Sequence, residues 1–290
     1  MSTVKGKFCS PGTETKGSGG GTGSSCYSRN QLLSIAKAIN IKYNGKFPTI
    51  NLSAKKEELW TAIESIMVEH CDTEWCWAEQ VDPKSLQAFR PRRPEGKTRW
   101  LSTIDIRDVL TQYMDLYPNF LFLGPVSIDF CSLADNEVCK INLNTLKRDG
   151  KTKIGIVFNT DPSTQPGRHW ISMFIDISDP DPRNHEIGYF DSFGMAPMAP
   201  EIKSLVSHLQ NQNPNIKIKL NCSDTICTHS VTHQRDNTEC GVYSISFIVA
   251  RLTGKSWEDI VLHNRWQDSQ MIELRNVYFR PTAGRDHQYL

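Results

Sequence analysis

The sequence predicts an α+β fold, and three kinds of segment support this prediction. Short β-type runs follow one another in the second half of the chain, at 153–160, 169–177 and 186–194. An amphipathic helix pattern at 199–212 and a mostly apolar helix at 240–254 follow them. Strands and helices in mixed order are typical of one sheet that is flanked by helices.

Composition excludes several classes of function. The chain has 290 residues, a formal net charge of +1 and a hydrophobic content of 38%. This charge gives no general attraction to nucleic acid or membranes, and no apolar run reaches the roughly 18 residues that span a bilayer. The first residues, MSTVKGKFCSPG, lack the apolar centre of a signal peptide. We therefore expect a reducing compartment, in which the nine cysteines are thiols rather than disulfides.

The N-terminal part divides into a tail and a small helical region. Residues 1–25 are predicted to form a flexible tail, because 10–25 (SPGTETKGSGGGTGSS) is rich in Gly and Ser. Residues 26–86 are predicted to contain two helices. Ser28 is the expected N-cap of the first helix, and the second begins near Ser53.

A basic, Pro-rich linker at 87–99 is predicted to lead into a larger domain at 100–290. That domain should open with a helix at about 105–116, since Pro118 follows, and with a strand-like or buried run at 120–130. Later alternating segments predict strands at 216–221 and 230–235, and Gly254 is the expected C-cap of the apolar helix. A last helix is expected at 268–279.

One cysteine lies where a catalytic thiol would be useful. In QRDNTECGVY, Cys240 stands between a polar loop and the apolar helix. The N-terminus of a helix stabilises negative charge, so a thiol placed there ionises more easily. From this stretch alone, a cysteine without chemistry is the better explanation, and the other residues of the chain must decide.

Other segments supply the groups that a cysteine nucleophile needs. His169 opens one predicted strand and Asp191 ends the next, so the histidine can act as a base that the aspartate orients. Gln234 can donate its amide to an oxyanion together with the backbone N–H of Cys240. Gly241 leaves room for a substrate.

These residues lie in motifs that resemble a known family. NTDPSTQPGRHWISMFIDI, HQRDNTECGVYS and FIVARL are similar to the polyprotein-processing cysteine proteases of African swine fever virus and related large DNA viruses. The same clan includes the adenovirus protease and the proteases of ubiquitin-like modifiers. The resemblance extends to WLSTIDIRDVLTQY and MIELRNVYFR and covers roughly residues 70–280.

The resemblance implies a fold, an activity and a set of site residues. The fold is an α+β core with papain-like chemistry, in which helices flank a central mixed β-sheet. The triad is His169, Asp191 and Cys240, with Gln234 in the oxyanion hole. Cleavage follows a small pair such as Gly-Gly, which requires a narrow cleft. Trp170 and Trp100 are the expected substrate contacts, although packing in the core explains either tryptophan as well.

The implied biological role is cleavage of capsid or core polyproteins during virion maturation, in the virion and the host cytoplasm. Two alternatives remain open. One is a deconjugating peptidase for a ubiquitin-like modifier, which would share the catalytic residues. The other is a non-catalytic nucleic-acid-binding or scaffold protein, for which Cys240 would be inert.

Other ligands are less well supported by the sequence. Cys71 and Cys76, like Cys222 and Cys227, lack the Cys-x2-Cys spacing of common zinc sites, so we expect no metal and no cofactor. The lysines of residues 28–67 would allow contact with DNA, but nearby glutamates dilute their charge. The Gly-Gly pairs of SGGGTGS would allow self-cleavage, but a flexible tail is the better explanation of these glycines.

Overall fold

The computed structural model describes residues 3, 5–16, 25–96, 98–134, 137–197, 199–221 and 231–281. Lys97, the Gly-rich stretch at 17–24, and Cys222, Cys227 and His229 lie outside the described residues. The chain forms two compact units. The first comprises residues up to Arg93 with those from Val277 onwards, and the second comprises Pro94–Asn276.

The first unit is helical. Its helices are α1 (Pro11–Lys16), α2 (Arg29–Lys42), α3 (Lys56–Met67) and α4 (Glu74–Val81), followed by a 3₁₀ turn at Pro83–Ala88. Ser28 caps α2 as predicted, since its hydroxyl accepts from the backbone N–H of Gln31. The second predicted helix begins at Lys56 rather than near Ser53.

Residues 5–16, which lie within the predicted tail, are held by contacts with a later segment. The backbone N–H of Ser10 donates to the carbonyl of Ala88 at 2.9 Å, and Cys9 forms a β-bridge with Phe89. Residues 5–16 and 87–93 therefore belong to the helical unit, in contrast to the predicted tail and linker. Contacts between residues about 80 positions apart hold these segments, and composition cannot reveal such contacts.

The prediction that the cysteines are thiols is wrong for six of them. Disulfides join Cys9 to Cys26, Cys71 to Cys76, and Cys131 to Cys139. The paired Cα atoms lie 5.2 to 5.5 Å apart, which is the separation that a disulfide needs. The prediction rested on the expected compartment, which says nothing about which thiols the fold brings together.

The second unit contains the sheet. Its strands are β1 (Phe120–Ser127), β2 (Lys153–Asn159), β3 (Trp170–Asp176), β4 (Glu186–Phe190) and β5 (Lys217–Lys219). They lie in the order β1-β2-β3-β4-β5, with parallel outer pairs and antiparallel inner pairs. The predicted strand at 230–235 does not form over the described residues 231–235. The mixed sheet with flanking helices confirms the α+β class.

Helices cover both faces of this sheet. The helices that follow Arg93 along the chain are α5 (Thr103–Leu116), α6 (Leu143–Arg148), α7 (Pro200–Gln212), α8 (Cys240–Leu252) and α9 (Asp268–Tyr278), with a π-helical turn at Asp259–His263. Side chains alternate between the faces of a strand. Met173 and Ile175 pack in the cluster that includes α7, whereas Phe190 stacks on Phe247 of α8 with ring centroids 5.0 Å apart.

Two properties of the described ranges limit the classes of function. No helix in them is long and apolar enough to cross a membrane. Nor do they contain a group of three or more His, Cys, Asp or Glu side chains that could hold a metal ion. The expected contact of residues 28–67 with DNA stays a prediction.

Candidate active site

The sheet brings His169 and Asp191 together. His169 directly precedes β3 and Asp191 directly follows β4, and these strands are antiparallel neighbours. The start of one strand and the end of the other therefore lie at the same edge of the sheet. Nε2 of His169 lies 2.8 Å from Oδ1 of Asp191. An ionised carboxylate only accepts hydrogen bonds, so the ring donates from Nε2.

Cys240 completes this group from the helix that packs on the sheet. It is the first residue of α8, is 3% exposed, and hydrogen-bonds to His169. Among the described cysteines, Cys240 is the one that forms no disulfide. The thiol thus lies between a histidine and a helix N-terminus, the setting predicted for a nucleophile.

The surroundings of His169 favour its charged form. Burial alone would lower the pKa of the imidazole, but the hydrogen bonds to Asp191 and Cys240 and the charges on both outweigh it and raise this pKa to about 9. The ring of Phe193 stacks on His169 with centroids 4.7 Å apart and fixes its plane. At neutral pH the ring is therefore an imidazolium, which stabilises a neighbouring thiolate.

Asp191 is itself held on several sides. The side-chain amide of Asn221 bonds to both backbone groups of Asp191. Its Oδ1 accepts the N–H of Asp191 at 2.8 Å, and its Nδ2 donates to the carbonyl of Asp191 at 3.0 Å. The backbone N–H of Phe193 donates to Oδ1 at 2.8 Å. The carboxylate that orients His169 is consequently buried and has little freedom to turn.

The amide of Gln234 is locked in one orientation. The hydroxyl of Ser192, the residue after Asp191, donates to Oε1 at 2.7 Å. This bond identifies the opposite end as Nε2, which donates to the carbonyl of Asp236 at 2.7 Å. An amide nitrogen carries two hydrogens, so one remains for a further acceptor. Gln234 is thus a fixed donor connected to the strand end that carries Asp191.

Leu101 links the predicted substrate contacts. The indole N–H of Trp170 donates to the backbone carbonyl of Leu101 at 2.9 Å, and Trp170 is 7% exposed. A Cβ on Gly241 would come within 2.9 Å of the Cβ of Leu101, so only glycine fits. Trp100, one residue before Leu101, is 45% exposed. Trp170 is therefore chiefly a packed support, whereas Trp100 is accessible to a substrate.

Sequence reasoning found the members of this site but not their supports. His169, Asp191 and Cys240 lie together, and Gln234 joins them through Ser192. Their catalytic roles stay predictions. Nothing in the sequence pointed to Ser192 or Asn221 beyond the position of Ser192 next to Asp191.

A buried histidine beside Gln234 makes stability depend on pH. Burial, with a smaller contribution from Arg265, lowers the pKa of His233 to about 4. Its ring lies 3.2 Å from the carbonyl of Val261 and accepts the N–H of Trp266 at 3.0 Å, so the folded state holds it neutral. Below its ordinary pKa of 6.5 the unfolded chain binds a proton that the folded chain does not.

We therefore expect the free energy of unfolding to fall between pH 6.5 and 4, by about 3 kcal/mol on account of His233. Urea unfolding at several pH values tests this. Carboxylates also make the free energy of unfolding depend on pH in this range. The informative comparison is therefore between His233→Gln and the exposed control His263→Gln. The free energy of unfolding should depend less steeply on pH in His233→Gln. Equal slopes in both variants would contradict the assignment.

The chain is similar to known proteases. The model of the Ulp1 protease family, C-terminal catalytic domain, matches residues 149–283. A protein named as a thiol protease in Acanthamoeba polyphaga mimivirus is 31% identical over 288 residues, which cover 91% of this chain and 92% of the relative.

Proteins of African swine fever virus are also similar. One that is named a cysteine protease is 29% identical over 78% of this chain and 85% of its own length. Another, 28% identical over the same shares, is named a SUMO-1 cysteine protease. The crystal structure of the protease of this virus superposes with a TM-score of 0.62 at 22% identity, covering 97% of this chain and 98% of the other. That likeness confirms the fold.

Proposed function

Since this chain belongs to the Ulp1 protease family and is a cysteine protease, we propose that Cys240 is its nucleophile and that it cleaves viral structural polyproteins after small residues during virion maturation. One observation carries the proposal. His169 contacts both Asp191 and Cys240 where two strand ends meet the N-terminus of α8.

The geometry supports each step of peptide hydrolysis. His169 holds the proton of Cys240, and the thiolate attacks the scissile carbonyl carbon. The carbonyl oxygen becomes an oxyanion, to which the second Nε2 hydrogen of Gln234 and the backbone N–H of Cys240 donate. His169 then protonates the leaving amine, which departs from the thioester. A water molecule, deprotonated by His169, hydrolyses that thioester and restores the thiol.

The site also favours small residues next to the bond that is cut. Gly241 packs against the side chain of Leu101, and the indole N–H of Trp170 donates to the carbonyl of Leu101. A rigid wall of this kind beside the nucleophile leaves little room for side chains on the substrate. Support for a Gly-Gly-like pair comes from this crowding, and Trp100 is the exposed aromatic surface available to the rest of the peptide.

We expect activity to be lost at alkaline pH. His169 must be protonated to deliver a proton to the leaving amine, and its pKa is raised to about 9. The protonated form is complete below the ordinary value of 6.5 and disappears as pH rises through 9. The alkaline limb of kcat/KM should therefore lie near pH 9. In Asp191→Asn, which removes the carboxylate charge, the limb should move down by about one pH unit or more.

A pH profile of peptide hydrolysis, corrected for active-site concentration, measures this limb. The exposed Asp115 of α5, which the mechanism does not use, supplies the control Asp115→Asn. An alkaline limb that stays in place in Asp191→Asn would show that Asp191 does not govern His169.

The alternative favoured by a specific observation is a deconjugating peptidase. It is supported by the name of the relative that is called a SUMO-1 cysteine protease. Both functions use the same catalytic group, so the size of the substrate must separate them. A deconjugating peptidase recognises the folded surface of a modifier, whereas a polyprotein protease binds only an extended segment of its substrate.

The deciding experiment offers both substrates to the same enzyme. A peptide library with small-residue pairs before the cut, and a ubiquitin-like modifier fused through Gly-Gly, are incubated with the unchanged protein and with Cys240→Ala. Cleavage of short peptides by the unchanged protein alone supports the proposal. Cleavage of the fusion alone would favour the deconjugase. Cleavage of neither, with Cys240 also unreactive to iodoacetamide, would refute catalysis and favour a scaffold.

A further inference from the structure

Five residues, 235–239, join Gln234 to Cys240, and one helix holds both ends of this loop. The helix is α9, through Asp268 at its start and Arg275 near its end. These two residues are seven positions apart, which is about two turns, so they lie on the same face of the helix. The exposed residue Glu273 lies between them on another face.

Asp268 fixes the part of the loop next to Gln234. Its Oδ2 accepts the backbone N–H groups of Arg235 and Asp236, each at 3.0 Å. The carbonyl of Asp236 in turn accepts Nε2 of Gln234 at 2.7 Å. Oδ1 of the same carboxylate accepts the hydroxyl of Tyr243, one turn into α8, at 3.0 Å. A single side chain thereby ties the amide donor to the helix that begins with the nucleophile.

Arg275 fixes the part of the loop next to Cys240. Its Nε and Nη2 donate to the two carboxylate oxygens of Glu239 at 2.8 and 3.1 Å. Both side chains are fully buried. Without the guanidinium, a buried negative charge would directly precede the thiolate in sequence and would oppose its formation. The pair therefore neutralises Glu239 as well as holding it.

We propose that Asp268 and Arg275 are positioning residues for catalysis, and that α9 clamps the loop so that the Gln234 amide and the Cys240 backbone N–H face the same oxyanion. This inference rests on the proposed function. It assigns no contact with substrate to α9. Asp268 positions Gln234 by holding the Asp236 peptide, and Arg275 positions Cys240 by holding Glu239.

The test compares Asp268→Asn with Glu273→Gln on the same helix. The asparagine keeps the shape but replaces one acceptor oxygen with a donor, which faces the loop N–H groups or Tyr243. With a fluorogenic peptide ending in Gly-Gly, kcat per titrated active site should fall roughly 10- to 100-fold in Asp268→Asn, with KM within about twofold. Glu273→Gln should match the unchanged protein.

Two further readouts separate positioning from folding. A peptide aldehyde forms a tetrahedral adduct whose oxygen occupies the oxyanion site, so its inhibition constant should rise by the same factor as kcat falls. Alkylation of Cys240 by iodoacetamide needs no oxyanion donors, so its rate should not change in Asp268→Asn. Arg275→Lys keeps the charge that neutralises Glu239 but loses the paired geometry, so kcat should fall while the rate of alkylation should not change.

Several results would overturn the inference. In one such result, Asp268→Asn has the same kcat as Glu273→Gln. In another, Asp268→Asn has fewer titratable active sites, but kcat per site is unchanged. Either result would make α9 a purely structural element. Failure of the unchanged protein to cleave any peptide is a different result, because it refutes the proposed function and removes the inference with it.

Discussion

We expect a protein in which Cys240 is replaced by alanine to hydrolyse no peptide that the unchanged protein hydrolyses. In the proposed mechanism, the sulfur of Cys240 is the atom that bonds to the substrate, and neither His169 nor Gln234 can replace it. In other triad enzymes removal of the nucleophile costs about 10⁶ in kcat, so kcat/KM should fall by at least about 10⁴. Cleavage of a fluorogenic Gly-Gly peptide, followed over hours at high enzyme concentration, measures the loss.

The loss in Cys240→Ala should not come from unfolding. Cys240 is a small buried side chain, and alanine removes one sulfur without leaving a charge unpaired, so the melting temperature should change by only a few degrees. The variant should also bind the uncleaved peptide with nearly unchanged affinity. Iodoacetamide should label Cys240 in the unchanged protein, as mass spectrometry can show. Activity that persists in a folded Cys240→Ala protein would exclude this cysteine as the nucleophile.

The features that the sequence predicted well are those encoded by neighbouring residues. Ser28 and Gln31 form a reciprocal cap three residues apart, and α8 begins at Cys240 where the polar loop meets the apolar run. The placement of His169 and Asp191 at strand ends also depends on local alternation. Once β3 and β4 pair, their ends must meet, so a sequence pattern was enough to predict the histidine–carboxylate contact.

The predicted strand at 230–235 fails because its polar groups bond in other directions. The backbone N–H groups of His233 and Gln234 both donate to the carbonyl of Ser192, each at 2.9 Å. Their side chains bond to Val261 and Ser192. A strand needs regular backbone pairing with a neighbour, and here the backbone converges on one carbonyl. Over the described residues 231–235, the alternation of apolar and polar residues reflects burial around the site and not pairing with a neighbouring strand.

The supports of the site could not be predicted, because they join residues far apart in the chain. Asp268 contacts Asp236 across 32 positions, and Asn221 contacts Asp191 across 30. Serines, aspartates and arginines are common, and a lone polar residue carries no sign of its partner. The disulfides were missed for a related reason, since pairing depends on which Cα atoms the fold brings within about 6 Å.

We expect removal of the Gln234 amide to lower kcat strongly while leaving binding almost intact. In the proposed mechanism, the second hydrogen of Nε2 donates to the oxyanion, which exists only after attack. Loss of one such donor costs about 10²- to 10³-fold in kcat in other hydrolases. Gln234→Ala should therefore lower kcat by this factor with little change in KM. Gln234→Glu should be worse, because a negative charge would face the developing oxyanion.

The exposed Asn237 on the same loop provides the matched control, and Asn237→Ala should retain full activity. Ser192→Ala is an intermediate case, because it lets the Gln234 amide rotate without removing it. Its kcat should lie between those of Gln234→Ala and Asn237→Ala. This order distinguishes a donor from a packing residue. If burial of Gln234 mattered only for the fold, the fraction of titratable sites would fall while kcat per site stayed constant. A Gln234→Ala protein with unchanged kcat per site would thus leave the oxyanion to the backbone N–H of Cys240 alone.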